Sequence, residues 1–238
     1  MNSILMYGLK ITSIILLFSL SCFGQTPTTG FLKTDTTDRV SHLSKATCDS
    51  LTTVLLRTLE ADQYDRNQME EVAARFGGDS PQMKALVRHM KQADSLNLIE
   101  VERILTRYGW LSSFKIGLDA NRALFMVIQH ADLVAQEKYL PMMSEAVKQG
   151  ILKASSFALL QDRMALNKGQ KQIYGSQVAW NMKTNQYYVM AIENPDQVDQ
   201  RRAKVGLVPL AVYLLDCCKL VWDLPAYKNN IFSLKTKT

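Results

Sequence analysis

Apolar residues recur at helical spacing over most of this chain and alternate at strand spacing in only one region. Val40, Leu43, Thr47, Leu51, Val54, Leu55 and Thr58 mark one helical face from near Asp38 to Asp62. Gly77-Gly78-Asp79-Ser80-Pro81 predicts a turn and restart, with Asp79 or Ser80 as N-cap and Pro81 in the first turn. The next helix runs through Met83, Leu86, Val87, Met90, Leu98, Val101, Ile104 and Leu105, and stops at Tyr108-Gly109-Trp110. From Gly117 to Asp132 the pattern is clearest: Ala120, Ala123, Leu124, Val127, Ile128 and Ala131 form one continuous stripe. A further helix is expected after Pro141, ending at Gln149-Gly150.

The helix from Phe157 to Leu166 is apolar nearly all round, which predicts burial, yet it carries Asp162 and Arg163. Buried charges are costly unless paired and hydrogen-bonded, so other polar residues must come to meet them. Two β-rich runs follow, Gln172 to Trp180 and Gln186 to Ile192, joined by 181–185, and read as a β-hairpin. If the first is a regular strand, Gln172, Tyr174 and Ser176 face one side and Gln177 the other, unless Gly175 marks a bulge. Asn194-Pro195-Asp196 starts a helix ending at Gly206. Pro209 starts the last apolar helix, through Leu214, Leu215 and Trp222, and Pro225 closes it. The expected fold is mainly α: a single helical domain over residues 38–225 with one small β-hairpin, and a loose polar tail over 226–238.

The start of the chain has a different character. Lys10 precedes a short apolar run, Ile11 to Leu20, and Ser21-Cys22-Phe23-Gly24 supplies small residues for cleavage. That pattern predicts a signal peptide over residues 1–24, a flexible Thr-rich lead-in over 25–37, and an exported protein, periplasmic or secreted. Lipidation at Cys22 is the alternative. Ser19, three residues before it, stands where a lipid-attachment motif usually has Leu, so the soluble form is preferred. No membrane span is expected once the leader is removed.

With 238 residues, 47% hydrophobic and 21% charged, the chain is globular and suits one domain. A net charge of +6 is spread along the chain, with no basic run beyond Arg201-Arg202, so no nucleic-acid footprint is expected. Cys48, Cys217 and Cys218 remain after cleavage, an odd number, and the adjacent pair lies in an apolar run that reads as core. His42 and His89 sit among polar residues and carry no assigned role.

The chain has no H-E-x-x-H, G-x-S-x-G, Walker or C-x-x-C signature, so zinc peptidase, α/β-hydrolase, nucleotide triphosphatase and thioredoxin chemistries have no support. His130-x-Asp132 offers two metal ligands where zinc sites need three or four, so neither a metal nor a cofactor is expected. What remains is His130, Asp132, Asp162, Arg163, Gln172, Tyr174 and Gln177, with Asp62, Gln63, Arg66, Gln129, Gln161 and Arg202 as further candidates. His130, at a helix C-terminus whose dipole would favour its protonated form, is the candidate acid or base, and Asp132 or Asp162 its orienting carboxylate. Arg163 and Arg66 would hold negative charge, and Gln172 and Gln177 would position a ligand.

Six blocks occur in order: D-Q-x-x-R at 62–66, Y-G-W at 108–110, Q-H-A-D at 129–132, Q-D-R at 161–163, Q-x-Y-G-S-Q at 172–177 and R-R-x-x-V-G-L at 201–207. As a set they resemble a bacterial family known only as a domain of unknown function, over roughly Leu43 to Tyr213. Ser176 and Leu111 depart from it, where that family commonly has Thr and Pro. The resemblance implies no activity, substrate or cofactor, but does imply that the polar blocks travel together. The functional expectation is an exported protein whose polar site binds a polar or anionic small molecule and could hydrolyse it by acid–base catalysis. The alternative is a non-enzymatic envelope interaction or scaffold domain, in which the same cluster is a structural hydrogen-bond network.

Overall fold

A computed structural model describes residues 43–181 and 186–235. The expected leader, the lipidation position Cys22, the lead-in, the helix start near Asp38, His42 and hairpin residues 182–185 lie outside the described residues. The first described helix, α1 (Lys45–Tyr64), is capped by Ser44, whose side chain accepts from the Thr47 N–H. A 3₁₀ turn (Arg66–Gln68) leads into α2 (Met69–Phe76). Helix α3 (Pro81–Tyr108) begins as predicted: Ser80 accepts from the Met83 N–H, and Pro81 fills the first turn, where its missing N–H costs nothing. It ends at Gly109.

The short α4 (Ser113–Ile116) precedes α5 (Leu118–His130), whose stripe is buried from Ala120 to Gln129 almost without interruption. Helix α6 (Leu133–Lys148) corrects an expectation by starting before Pro141 rather than after it. Asp132 caps it through the Ala135 N–H at 2.9 Å, and Pro141 is carried inside the helix at the loss of one backbone bond. Helix α7 (Ala154–Asn167) then crosses the core. Leu55, Val101, Ile104, Leu124, Ile128, Met143 and Leu160 are among the residues of this main core, so α1, α3, α5, α6 and α7 share it.

The hairpin is shorter than its sequence pattern. Strands β1 (Val178–Asn181) and β2 (Gln186–Val189) pair antiparallel, Val178 opposite Val189. Gln172 touches Ile192 in an isolated parallel bridge, and residues between Gln172 and β1 form a loop rather than strand. A 3₁₀ turn (Pro195–Gln197), α8 (Val198–Lys204) and α9 (Leu210–Cys218) follow. Val178, Ile192, Val198, Leu210 and Leu214 make a second, smaller core.

The end of the chain also differs from expectation. Lys219 takes a left-handed conformation (φ 55°) and stops α9 short of Trp222. A new helix, α10 (Leu224–Lys235), occupies most of the expected tail. Asp223 accepts from the Ala226 N–H at 2.8 Å, and Pro225 stands in the first turn, where it starts the helix rather than ending one. Tyr227 anchors it by donating to the Met190 carbonyl (3.2 Å) and accepting from the Ile192 N–H (2.6 Å). No helix among the described residues is long and apolar enough to cross a membrane.

Candidate functional site

Asp162 and Arg163 are adjacent on α7 and both buried, but they serve different partners, as the roughly 100° between neighbouring helix positions demands. Asp162 turns toward the 172–177 loop. One of its oxygens accepts from the N–H of Ile173 (2.6 Å) and Tyr174 (2.8 Å), the other from the N–H of Ser176 (2.8 Å). Burial pushes its pKa up, opposed by these backbone donors. Gln172 closes the loop from the other side, accepting from the Gln177 N–H and donating to the carbonyls of Gln177 and Met190.

The loop's carbonyls are met with equal economy. Arg201 Nε donates to Ile173 O, Arg202 Nη1 to Tyr174 O, and the Tyr213 hydroxyl to Ser176 O. Arg202 also donates to Val208 O and lies over the Tyr213 ring. At φ +70°, Gly175 turns the loop where a Cβ would meet Ile192 Cδ1 at 2.9 Å. This is a latch that satisfies backbone groups, which buried irregular chain requires.

These placements correct several expectations. Asp162 does not orient His130, because its oxygens are spent on the loop. Gln172, Tyr174 and Arg202 tie this loop, and the Gln177 amide donates to Ser176 Oγ. Asp132 caps α6 and does not reach Gln129 or His130 in a hydrogen bond; Gln161 is half-buried one residue before the latch carboxylate.

The other half of the predicted set does converge. His130, the last residue of α5, places Nδ1 2.8 Å from Oδ1 and 3.1 Å from Oδ2 of Asp62, in the last turn of α1. Gln63 donates to the same carboxylate at 2.6 Å. Arg66 donates to the Asp62 carbonyl and grips both oxygens of Asp94, on α3, at 2.8 and 2.9 Å. Asp62 Oδ1 lies 3.4 Å from the Arg66 guanidinium.

Burial would raise the Asp62 carboxyl, but His130, Arg66 and Gln63 hold it below the usual carboxylate value. Burial is also the main force on His130. Helped by the charges of Arg66 and Arg163, and against the pull of Asp62, it lowers the imidazole to about 4. The expected helix-dipole preference for a charged imidazole is therefore overridden, and His130 is neutral at neutral pH. With Asp62 ionised, Nδ1 must carry the proton and donate it, which leaves Nε2 as the basic nitrogen. Asp94 is pushed up to about 6 by burial, against the pull of Arg66.

Arg163 completes the cluster. Burial and the charge of Arg66 push its guanidinium down to about 9, while Asp62 and Asp94 act in the opposite direction. Its Nε and Nη2 are buried without a hydrogen-bond partner. Those two N–H groups lie along one edge of the guanidinium, the fork that receives two oxygens of a carboxylate or phosphate. Asn97 Nδ2, one turn along α3 from Asp94, and both polar side-chain atoms of Gln129 beside His130 are likewise buried and unpartnered. Asp94 and Asn97 escaped the sequence reading. Both fall on the α3 stripe Met83, Val87, Met90, Asp94, Asn97, Val101, Ile104, where polar residues interrupt an otherwise apolar face.

Asp62, Asp94 and His130 form a group whose ligand atoms lie within 4.8 Å of one another, near enough to consider an ion. Arg66 already lies across both carboxylates, and Arg163 adds a second positive charge. A divalent cation placed there would be repelled by both guanidinium groups.

The model of the Family of unknown function (DUF6624) matches residues 49–223, well over half of the chain. The chain belongs to this family. No curated protein and no solved structure matches the chain. The DUF6624 region contains both the latch and the whole charged cluster, from Asp62 to Arg202.

Proposed function

We propose that this DUF6624 chain binds a small oxyanion on Arg163 and transfers a proton at the bound ligand through His130. The observation that carries this reading is the unpartnered Nε/Nη2 edge of Arg163, buried within the field of the Asp62–His130 pair. Asp62 fixes the imidazole, Nε2 removes a proton from ligand or water, and Arg163 holds the negative charge. Hydrolysis of a polar or anionic small molecule is the reaction class this kit suits. The basic, apolar and small-residue pattern of residues 1–24 supports export to a periplasmic or extracellular setting.

A second reading, an envelope interaction or scaffold domain, is favoured by the latch, where Asp162 and Gln172 are fully engaged and fasten the loop. Arg163 separates the two. Replacing Arg163 with Met breaks no hydrogen bond at Nε or Nη2, and at about pH 6 a proton on Asp94 offsets the lost positive charge, so stability should change by less than about 1 kcal/mol, whereas a structural member should cost stability when removed. Urea denaturation of Arg163→Met reads this directly. Thermal shifts with small carboxylates and inorganic phosphate should then raise the melting temperature of wild type and not of Arg163→Met. Arg163→Met that unfolds more easily, with no anion shifting wild type, would support the scaffold.

A further inference from the structure

We propose that the ligand on Arg163 is a singly charged carboxylate that enters together with one proton, accepted by Asp94, and that doubly charged phosphates are selected against. The inference rests on the oxyanion reading above and follows from the charges that act on one another within this cluster. Asp62, Asp94, Arg66 and Arg163 contribute two negative and two positive charges, and His130 is neutral, so the unliganded cluster is balanced. Side-chain exposure is 0% at Asp62, 5% at His130, 8% at Arg66 and 16% at Asp94, so water screens little. An added anion leaves one uncompensated negative charge in this interior, at a cost that a single proton removes. A dianion would leave one behind even then.

Three groups could take the proton. Asp62 is held ionised by Gln63 and Arg66 and accepts from His130. His130 would become a third cation beside Arg66 and Arg163, both of which already act against its charge. Asp94 faces Arg66, Asp62, Arg163 and the neutral His130 imidazole, and its neutral form leaves Arg66 compensated by Asp62. Asp94 also starts nearest to neutral pH, about 6, and an anion nearby raises it further. The two N–H groups on one edge of Arg163 match the two coplanar oxygens of a carboxylate.

The test is calorimetric titration of the full chain with acetate, lactate, N-acetylglycine and inorganic phosphate, in two buffers of different ionisation enthalpy. At about pH 7.5, carboxylate binding should take up close to one proton, and affinity should fall about tenfold per pH unit as pH rises further. Asp94→Asn, a permanent mimic of the neutral form, should bind the same carboxylate with no proton uptake and a flat pH profile. Phosphate at about pH 8, where it is a dianion, should bind at least about tenfold more weakly than the best carboxylate. Carboxylate binding without proton uptake, uptake unchanged in Asp94→Asn, or phosphate binding that tightens with pH would overturn this inference and leave the oxyanion reading standing. Failure of every probe to bind wild type would overturn both.

Discussion

Replacing Asp94 with Asn removes one of two opposed titrations in the buried cluster, and the pH dependence of stability should expose the other. His130 keeps its proton off until about pH 4 in the folded chain, against an ordinary value of 6.5. As pH falls through that window, the unfolded chain binds a proton that the native one refuses, so stability is lost at about 1.4 kcal/mol per unit. Asp94 runs the other way: raised from 3.8 to about 6, it protonates first in the native state, so stability is gained as pH falls from about 6. In wild type the two nearly cancel between about pH 6 and 4.5. Asp94→Asn leaves His130 unopposed and should lose about 2 kcal/mol over that interval; His130→Gln leaves Asp94 unopposed and should gain about 2 kcal/mol. Groups outside the cluster are the same in all three proteins, so their contribution falls out of the comparison. Asp62, with its lowered pKa, loses its contribution only at lower pH. Urea denaturation followed by tryptophan fluorescence at both pH values measures the slopes. Three parallel slopes, or the reverse order, would refute the assignment of a neutral His130 and a proton-hungry Asp94.

The latch gives two simpler expectations, both read by urea denaturation. Asp162→Asn replaces an acceptor of three backbone N–H groups with one that turns an NH₂ toward some of them, and should cost about 2–4 kcal/mol. Gly175→Ala combines a left-handed backbone with a Cβ 2.9 Å from Ile192 and 3.1 Å from Leu210, and should cost about 2–4 kcal/mol. Gly206→Ala, with φ +73° and open space around its Cβ, is the control and should cost only about 1 kcal/mol. Equal losses at the two glycines would mean that the loop is not packed as described.

Where local chemistry decides structure, the sequence could be read directly. Ser80 with Pro81, the α5 stripe and the hairpin's antiparallel pair are each specified by neighbouring residues. Local signals were outvoted where two were in conflict. Pro141 reads as a start, but the Asp132 cap begins the helix eight residues earlier. Pro225 reads as a stop, but Asp223 makes it a start. Gln172 to Gln177 alternates like a strand, yet three of its N–H groups bond to one carboxylate on α7, and a regular strand cannot turn them to a single point.

Hydrophobic period and burial cost are properties of neighbouring positions, so a mainly α chain with buried charges on its most apolar helix is written into the order of its residues. How those charges divide depends on packing between elements. Asp162 and Arg163 are one residue apart and point to opposite tasks, while Asp62, Asp94, His130 and Arg163 come from four helices and share one field. Which polar groups are satisfied and which are left with unused donors depends on how helices pack across the core, and that is a relation between distant segments that no local pattern encodes.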